Sequence, residues 1–324
     1  MNLLITHLHI AIRRFGRDAG SDARSCRCPI LSAVRGTRSG FTLIELLVVI
    51  AIVGLLVSLA LPAIAGVRAV GRQCKELAAA KQLMTAFTMY ADTNRGVVLP
   101  GYPTVAMVNG PMPVYDESGA RITGDVAQRY PWRLAPYLDY NFAGLYPQDS
   151  LLRDIRANEE QYQREFNISY AYVVSLFPSF GMNVAFVGGS ERFNAYDRNF
   201  RNRFGKFVVE RLDEARRPSD LIAFATARCE QQWLAPQLGK PEGFFRVEPP
   251  YFGAAQGRRW DTAYDPAAES PGLNSGFVSL RHPGKRGISA FVDSSARTMG
   301  FEQFADMRYW ANGATRADWA IGAN

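Results

Sequence analysis

The sequence predicts an α+β protein: one long N-terminal helix packed on a C-terminal body with an antiparallel sheet. Three observations lead there. Residues 46–67 carry no charge, and these 22 residues suffice for a membrane-spanning helix, which needs about 20. Beyond them apolar residues recur every three or four positions as far as Ala91, the period of an amphipathic helix. Further on, short runs rich in β-branched and aromatic residues follow helical segments instead of alternating with them, which favours an α+β body over repeated βαβ units. The composition of the 324 residues, 48% hydrophobic and 21% charged, is that of a globular protein and excludes a wholly disordered or collagen-like chain.

Residues 1–40 form a basic leader. They hold seven arginines and two aspartates, a net +5, whereas the remaining chain carries 30 basic and 28 acidic groups. A nearly neutral body offers no broad nucleic-acid-binding face, so no nucleic acid is expected among the partners. The only long apolar run follows the leader, in 41–67. By the positive-inside rule the leader stays cytoplasmic and the body crosses the membrane, a bias that Arg68, Arg72 and Lys75 weaken.

Two details mark this run as more than an anchor. Glu45 interrupts its start, and a carboxylate at a bilayer centre costs roughly 2.5–3.5 kcal/mol, less near an interface. It is either solvated at headgroup level or awaits a positive partner. Gly40, just before Phe41, lets the backbone enter a protease site in extended form. The string Gly40-Phe41-Thr42-Leu43-Ile44-Glu45 resembles the cleavage and methylation motif of type IV prepilins and type II secretion pseudopilins. The resemblance implies a cut between Gly40 and Phe41 by prepilin peptidase and N-methylation of Phe41. It also implies that Glu45 pairs with a neighbouring subunit's terminal amine during assembly, and that Pro62 is the helix-kinking proline. A 40-residue leader is long for such proteins, which points to a translation start downstream, near Leu31 or Val34. The competing reading is a secretory signal cut after Ala63-Ile64-Ala65, but a signal core is about 7–15 residues and this run is longer and opens with a glutamate.

The second half of the helix, 68–95, presents Val67, Val70, Cys74, Leu77, Ala80, Met84, Phe87 and Ala91 on one face, with Arg68, Arg72, Lys75, Glu76 and Lys81 mostly off it. Asn94, Arg95 and Gly96 supply the stop. Residues 74–90, with Lys81-Gln82-Leu83, are similar to pseudopilin-like proteins that carry a DUF1559-type body.

In the body, 96–324, the glycine- and proline-rich segments 96–130 and 250–275 read as loops. Helices are expected at 130–138 and 147–166. Strands are expected at 168–177, 183–187, 206–210, 220–226, 276–281, 287–293 and 296–300. His282 and Asp293, ten residues apart with Ser294 after the aspartate, partly match a histidine-to-Asp-Gly hairpin signature of the resembling proteins. Pro283-Gly284-Lys285-Arg286-Gly287 suits a hairpin turn.

Enzyme chemistry finds little footing. There is no phosphate loop, dinucleotide glycine fingerprint, G-x-S-x-G or H-E-x-x-H. His7, His9 and His282 are the only histidines, and Cys26, Cys28, Cys74 and Cys229 the only cysteines, too few for a multi-histidine or four-cysteine metal centre. Asp261, Asp265 and Glu269 lack the spacing of a calcium loop and read as solvated surface. Cys74 and Cys229 could join helix to sheet as a disulfide or stay as buried thiols. The expected protein is therefore not an enzyme and needs no cofactor. It is a structural pilin-like subunit of the inner membrane whose partners are prepilin peptidase, like subunits and a secretion or pilus machine. The alternative is a tethered binding module that uses the motif for export only and the loops 96–130 and 250–275 for recognition.

Overall fold

The computed structural model describes residues 42–142, 145–146, 149–229 and 242–322. The chain divides into two compact units, one up to Val57 and one from Ser58 onward. Helix α1 (Leu43–Thr93) is a 51-residue element, about 77 Å at 1.5 Å per residue. It agrees with the expected helix to within two residues at each end and continues through Pro62, where one backbone donor is lost. Large apolar side chains from Leu43 to Val57 are exposed, 78% for Leu43 and 49% for Val57. The side chains at 59, 60, 62, 63 and 65 lie outside the described residues. Among those described, no helix is long and apolar enough to cross a membrane.

Burial on α1 begins later than the periodicity predicts. Val67, Val70 and Cys74 are exposed, and Ala79, Ala80, Leu83, Met84, Ala86, Phe87 and Ala91 are buried. Arg68, Arg72 and Lys75 alternate with the exposed apolar residues, so this turn of helix has no low-polarity surface to share with the body. The helix stops as expected: Arg95 and Gly96 take positive φ of 56° and 82°, and the Gly96 N–H donates to the Ala91 carbonyl at 2.7 Å.

The body is built on a five-stranded sheet of β3 (Phe180–Asn183), β4 (Ile222–Thr226), β5 (Arg246–Val247), β6 (Gly287–Phe291) and β7 (Ala296–Met299). Their order across the sheet is β5-β3-β4-β6-β7, antiparallel except for β5, which runs parallel to β3. Every residue of β3, β4 and β6 is buried, which explains their continuous apolar runs. Phe87 of α1 meets Phe224 of β4 edge-on at 5.7 Å, and Tyr130 of α4 (Tyr130–Leu134) meets the same ring at 5.1 Å. The Tyr130 hydroxyl donates to the Phe180 carbonyl at 2.6 Å, so this large ring carries no unpaired oxygen into the core.

Several expected elements differ. The segment 168–177 is helix α7 (Tyr170–Leu176), because Ser169 caps it by accepting from the Tyr172 N–H and its turns bury Val173, Val174 and Leu176. Residues 206–210 and 276–281 form only isolated bridges, Val209 with Val187 and Val278 with Ala227. The strand expected at 183–187 ends at Asn183, whose side chain donates to the carbonyls of Ile222 and Trp310 and turns the chain. The loop 96–130 contains α2 (Val105–Asn109), the small hairpin β1 (Val114–Tyr115) and β2 (Arg121–Ile122), and α3 (Gly124–Gln128). The helix expected at 147–166 is two, α5 (Asp149–Ala157) and α6 (Glu159–Phe166), parted at Asn158.

Phe87 is fully buried against β4, and deletion of such a ring from a core costs about 3–5 kcal/mol. Phe87→Ala is expected to lower the unfolding free energy, taken from urea titration read by tryptophan fluorescence, by that amount. Val67→Ala, on an exposed turn, is expected to leave it unchanged.

Candidate functional site

The start of α1 is the first candidate. Thr42 directly precedes the helix, and three hydrogen bonds tie it to Glu45. The Thr42 N–H and hydroxyl both donate to Oε2 of Glu45, at 2.9 and 2.8 Å, and the Glu45 N–H donates to the Thr42 hydroxyl at 3.2 Å. This is a reciprocal capping box, threonine at the cap and glutamate three residues on. Glu45 is thus held at the mouth of the helix, beside the chain that leads back to Phe41. Gly40 and Phe41 themselves lie outside the described residues. The T-x-x-E spacing was legible in the sequence, and Thr42 is the partner that attention to the carboxylate alone passes over.

The second candidate fastens α1 to the sheet. Glu76 points into the body, where Arg281 grips its carboxylate: Nε lies 3.2 Å from both oxygens and Nη2 lies 2.8 Å from Oε2. Arg281 also donates to the carbonyls of Ala227 and Ser179. His282 Nε2, buried, stands 3.3 Å from Oε2, close enough for attraction but aligned too poorly for a hydrogen bond. Burial raises the Glu76 pKa, and the His282 contact and the Arg281 charge and hydrogen bonds outweigh it, bringing the group to about 2. Periodicity had placed Glu76 off the apolar face. Only the fold reveals that a partly buried arginine waits for it.

A second polar contact lies twelve residues along the helix, where the hydroxyls of Thr88 and Ser294 share a hydrogen bond at 3.2 Å. Arg281 and His282 precede β6 and Ser294 follows it, so both ends of one strand hold α1. This placement separates the two members of the H-x-D signature. His282 sits beside Glu76, where its main chain pairs with Arg286 to close the turn Pro283-Gly284-Lys285. Asp293 caps its own turn by accepting from the Ser295 N–H and hydroxyl at 2.9 and 2.7 Å. His282 and Asp293 thus stand at opposite ends of β6. Ser294 holds φ +69°, a conformation that glycine adopts without cost, which accounts for the glycine in the signature it departs from.

Cys74 is exposed on α1 and Cys229 is buried, and no disulfide joins them. Asp261 accepts from the Asn274 side chain and Asp265 from the Ala267 N–H, so both are committed to their own loop. Among the described residues no three histidine, cysteine or carboxylate groups converge on a metal position. The loop 96–130 borders a cavity of about 260 Å³ walled by Tyr90, Pro113, Tyr115 and Trp132.

The geometry at the start of α1 coincides with a known pattern. Residues 35–61 match the prokaryotic N-terminal methylation motif, the prepilin-type start, and this span includes Gly40, Phe41 and the Thr42–Glu45 box. Comparison of the chain with curated proteins and with solved structures returns no match.

Glu76 carries a testable pH signature. Its pKa is about 2 in the folded chain against 4.5 for the ordinary group, so its contribution is complete above about pH 5 and is lost as pH falls toward 2. The span corresponds to about 3 kcal/mol. Glu76→Gln is expected to destabilise the protein by about 3 kcal/mol at pH 7, since the partly buried Arg281 is left without its counter-charge. Urea titrations between pH 7 and 3 are expected to show a shallower loss in this variant than in the wild type.

Proposed function

We propose that the chain is a structural, pilin-like subunit, not an enzyme. Prepilin peptidase cuts it between Gly40 and Phe41 and methylates Phe41, and the processed chain assembles with like subunits into a filament of the type II secretion or type IV pilus kind. Before assembly it is a single-pass inner-membrane protein with the leader in the cytoplasm and the body in the periplasm. The observation that carries this reading is the methylation motif at 35–61, in register with a capped glutamate at the start of a 51-residue helix. The net +5 leader and the uncharged run 46–67 support the orientation. The DUF1559-like assignment of the body rests on the sequence likeness of 74–90 alone.

The physical logic of assembly follows from the cut. It creates an α-amino group at Phe41, one residue before Thr42. An amine in lipid is as costly as a carboxylate, and each offsets the other's desolvation when paired. Within one chain Glu45 already has the Thr42 N–H and hydroxyl as partners. A neighbouring subunit's amine supplies what these neutral donors lack, a full opposite charge, so the assembled state is favoured.

Intact mass of the membrane-extracted protein is expected to fit a chain that begins at methylated Phe41. A chain that begins at Gly66 would contradict the proposal and establish the secretory-signal alternative. Glu45→Val is expected to be inserted and cut normally but to be recovered poorly in filaments. Recovery equal to wild type would remove the amine–carboxylate pairing while leaving the cleavage intact.

A further inference from the structure

Away from α1, the described residues of the body gather buried arginines around the Phe245 ring. The side chain of Arg246 on β5 is only 9% exposed, and its guanidinium carbon lies 5.0, 5.2 and 5.1 Å from the ring centres of Phe244, Phe245 and Phe277. Its Nε donates to Glu248 at 2.8 Å. Its two terminal nitrogens have no acceptor among the described residues and are not sealed from solvent.

Arg129, 7% exposed, packs on the same Phe245 ring at 5.3 Å and on Tyr172 at 5.0 Å. It donates to the Ser175 hydroxyl, stands 3.6 Å from the exposed Asp125, and keeps its Nε buried without a partner. Tyr102 stacks near Phe245 at 5.8 Å, and its hydroxyl makes no hydrogen bond among the described residues. Arg192 follows Glu191, whose N–H donates to the Tyr102 carbonyl, and its charge acts on both Tyr102 and Arg246.

The counter-charge is thin. Among the described residues Glu248 is the one buried carboxylate here, and it is shared with Arg259 at 2.8 Å, while Asp125 and Glu191 are exposed. Burial and then Arg192 lower the Arg246 pKa, against the opposing pull of Glu248. Arg133 shows what a self-sufficient buried arginine looks like in this fold: carbonyls of Pro100, Gly101, Gln128 and Arg129 accept from it. Arg246 has no such set.

The main chain is built to hold this arrangement. A Cβ at Gly181 would stand 2.4 Å from the Arg246 carbonyl carbon, so only glycine lets β5 pair so tightly with β3. A Cβ at Gly276, at φ +55°, would stand 1.9 Å from the Glu248 carbonyl oxygen.

We propose that Tyr102, Arg129, Arg192 and Arg246 bind an oxyanion, the carboxylate or phosphate group of a small ligand. Guanidinium groups present parallel N–H donors that match such groups. The aromatic rings lower the local polarity and strengthen the attraction, and like charges held in a low-dielectric setting focus the field on an incoming anion. The Tyr102 hydroxyl adds one neutral donor at the same place. The site is independent of processing and assembly, so it stands or falls apart from the filament reading.

The test is calorimetric titration of the detergent-solubilised full chain with sodium phosphate, with sodium glucuronate, and with glucose as the neutral control, at constant ionic strength. Saturable one-to-one binding of at least one anion is expected, with none of glucose, and the tighter arm tells phosphate from carboxylate. Arg192→Gln, at an exposed position, and Tyr102→Phe are each expected to weaken binding at least about fivefold, the scale of a lost ligand hydrogen bond, with an unchanged melting temperature in the absence of anion. Arg246→Met is expected to abolish binding, and the two milder variants carry the test if it does not fold. Absence of saturation by about 10 mM with both anions, or affinity unchanged in both mild variants, would overturn the proposal.

Discussion

Everything in this chain follows from one helix that must satisfy two environments in sequence. From Leu43 to Val57 the side chains of α1 are apolar except at Glu45 and Gly54, and they are exposed around the whole circumference. From Ala79 to Ala91 the same helix buries one face in a core. A helix that is apolar all round belongs in lipid or deep in a protein, and one with a single apolar stripe belongs on a protein surface. The changeover is marked by the exposed Arg68, Arg72 and Lys75.

Specific polar contacts, not apolar area alone, decide where on the body the helix lies. An apolar stripe can slide, because burial is non-directional. The Glu76–Arg281 pair and the Thr88–Ser294 hydrogen bond prevent this by fixing two points one strand apart. The length of helix between the points, about 18 Å for twelve residues, is close to the length of β6 with its flanking turns. Ser294 shows the compromise involved. Its left-handed backbone favours glycine, and the side chain that glycine would lack is the one that reaches Thr88. The pattern at the other end of α1 is similar, since the Thr42–Glu45 box fixes the carboxylate on which the proposed assembly depends.

Much of this was legible in the residues, and what was not has identifiable causes. The extent of α1, the stop at Asn94–Gly96 and the strands β4, β6 and β7 follow from long periodicity and turn chemistry, which are local properties. Tyr170–Leu176 reads as a strand by its aromatic and β-branched content, and a single capping serine together with tertiary packing makes it a helix. The onset of burial at Ala79 instead of Val67 could not be read, because periodicity describes a face and not what covers it. Glu76 was misplaced for the same reason: its value depends on Arg281, 205 residues away. The oxyanion cluster draws on residues from four separate segments, 102, 129, 192 and 246, with no spacing to signal their meeting.

The central claim is that the second half of α1 is part of the body's core and not a stalk attached to it. Hydrogen–deuterium exchange on the full-length protein tests this most directly, because core amides open only with the whole structure while peripheral ones open locally. The amides of residues 80–91 are expected to exchange as slowly as those of β4, and those of 67–74 much faster. Exchange at 80–91 that is orders of magnitude faster than at β4 would contradict the account.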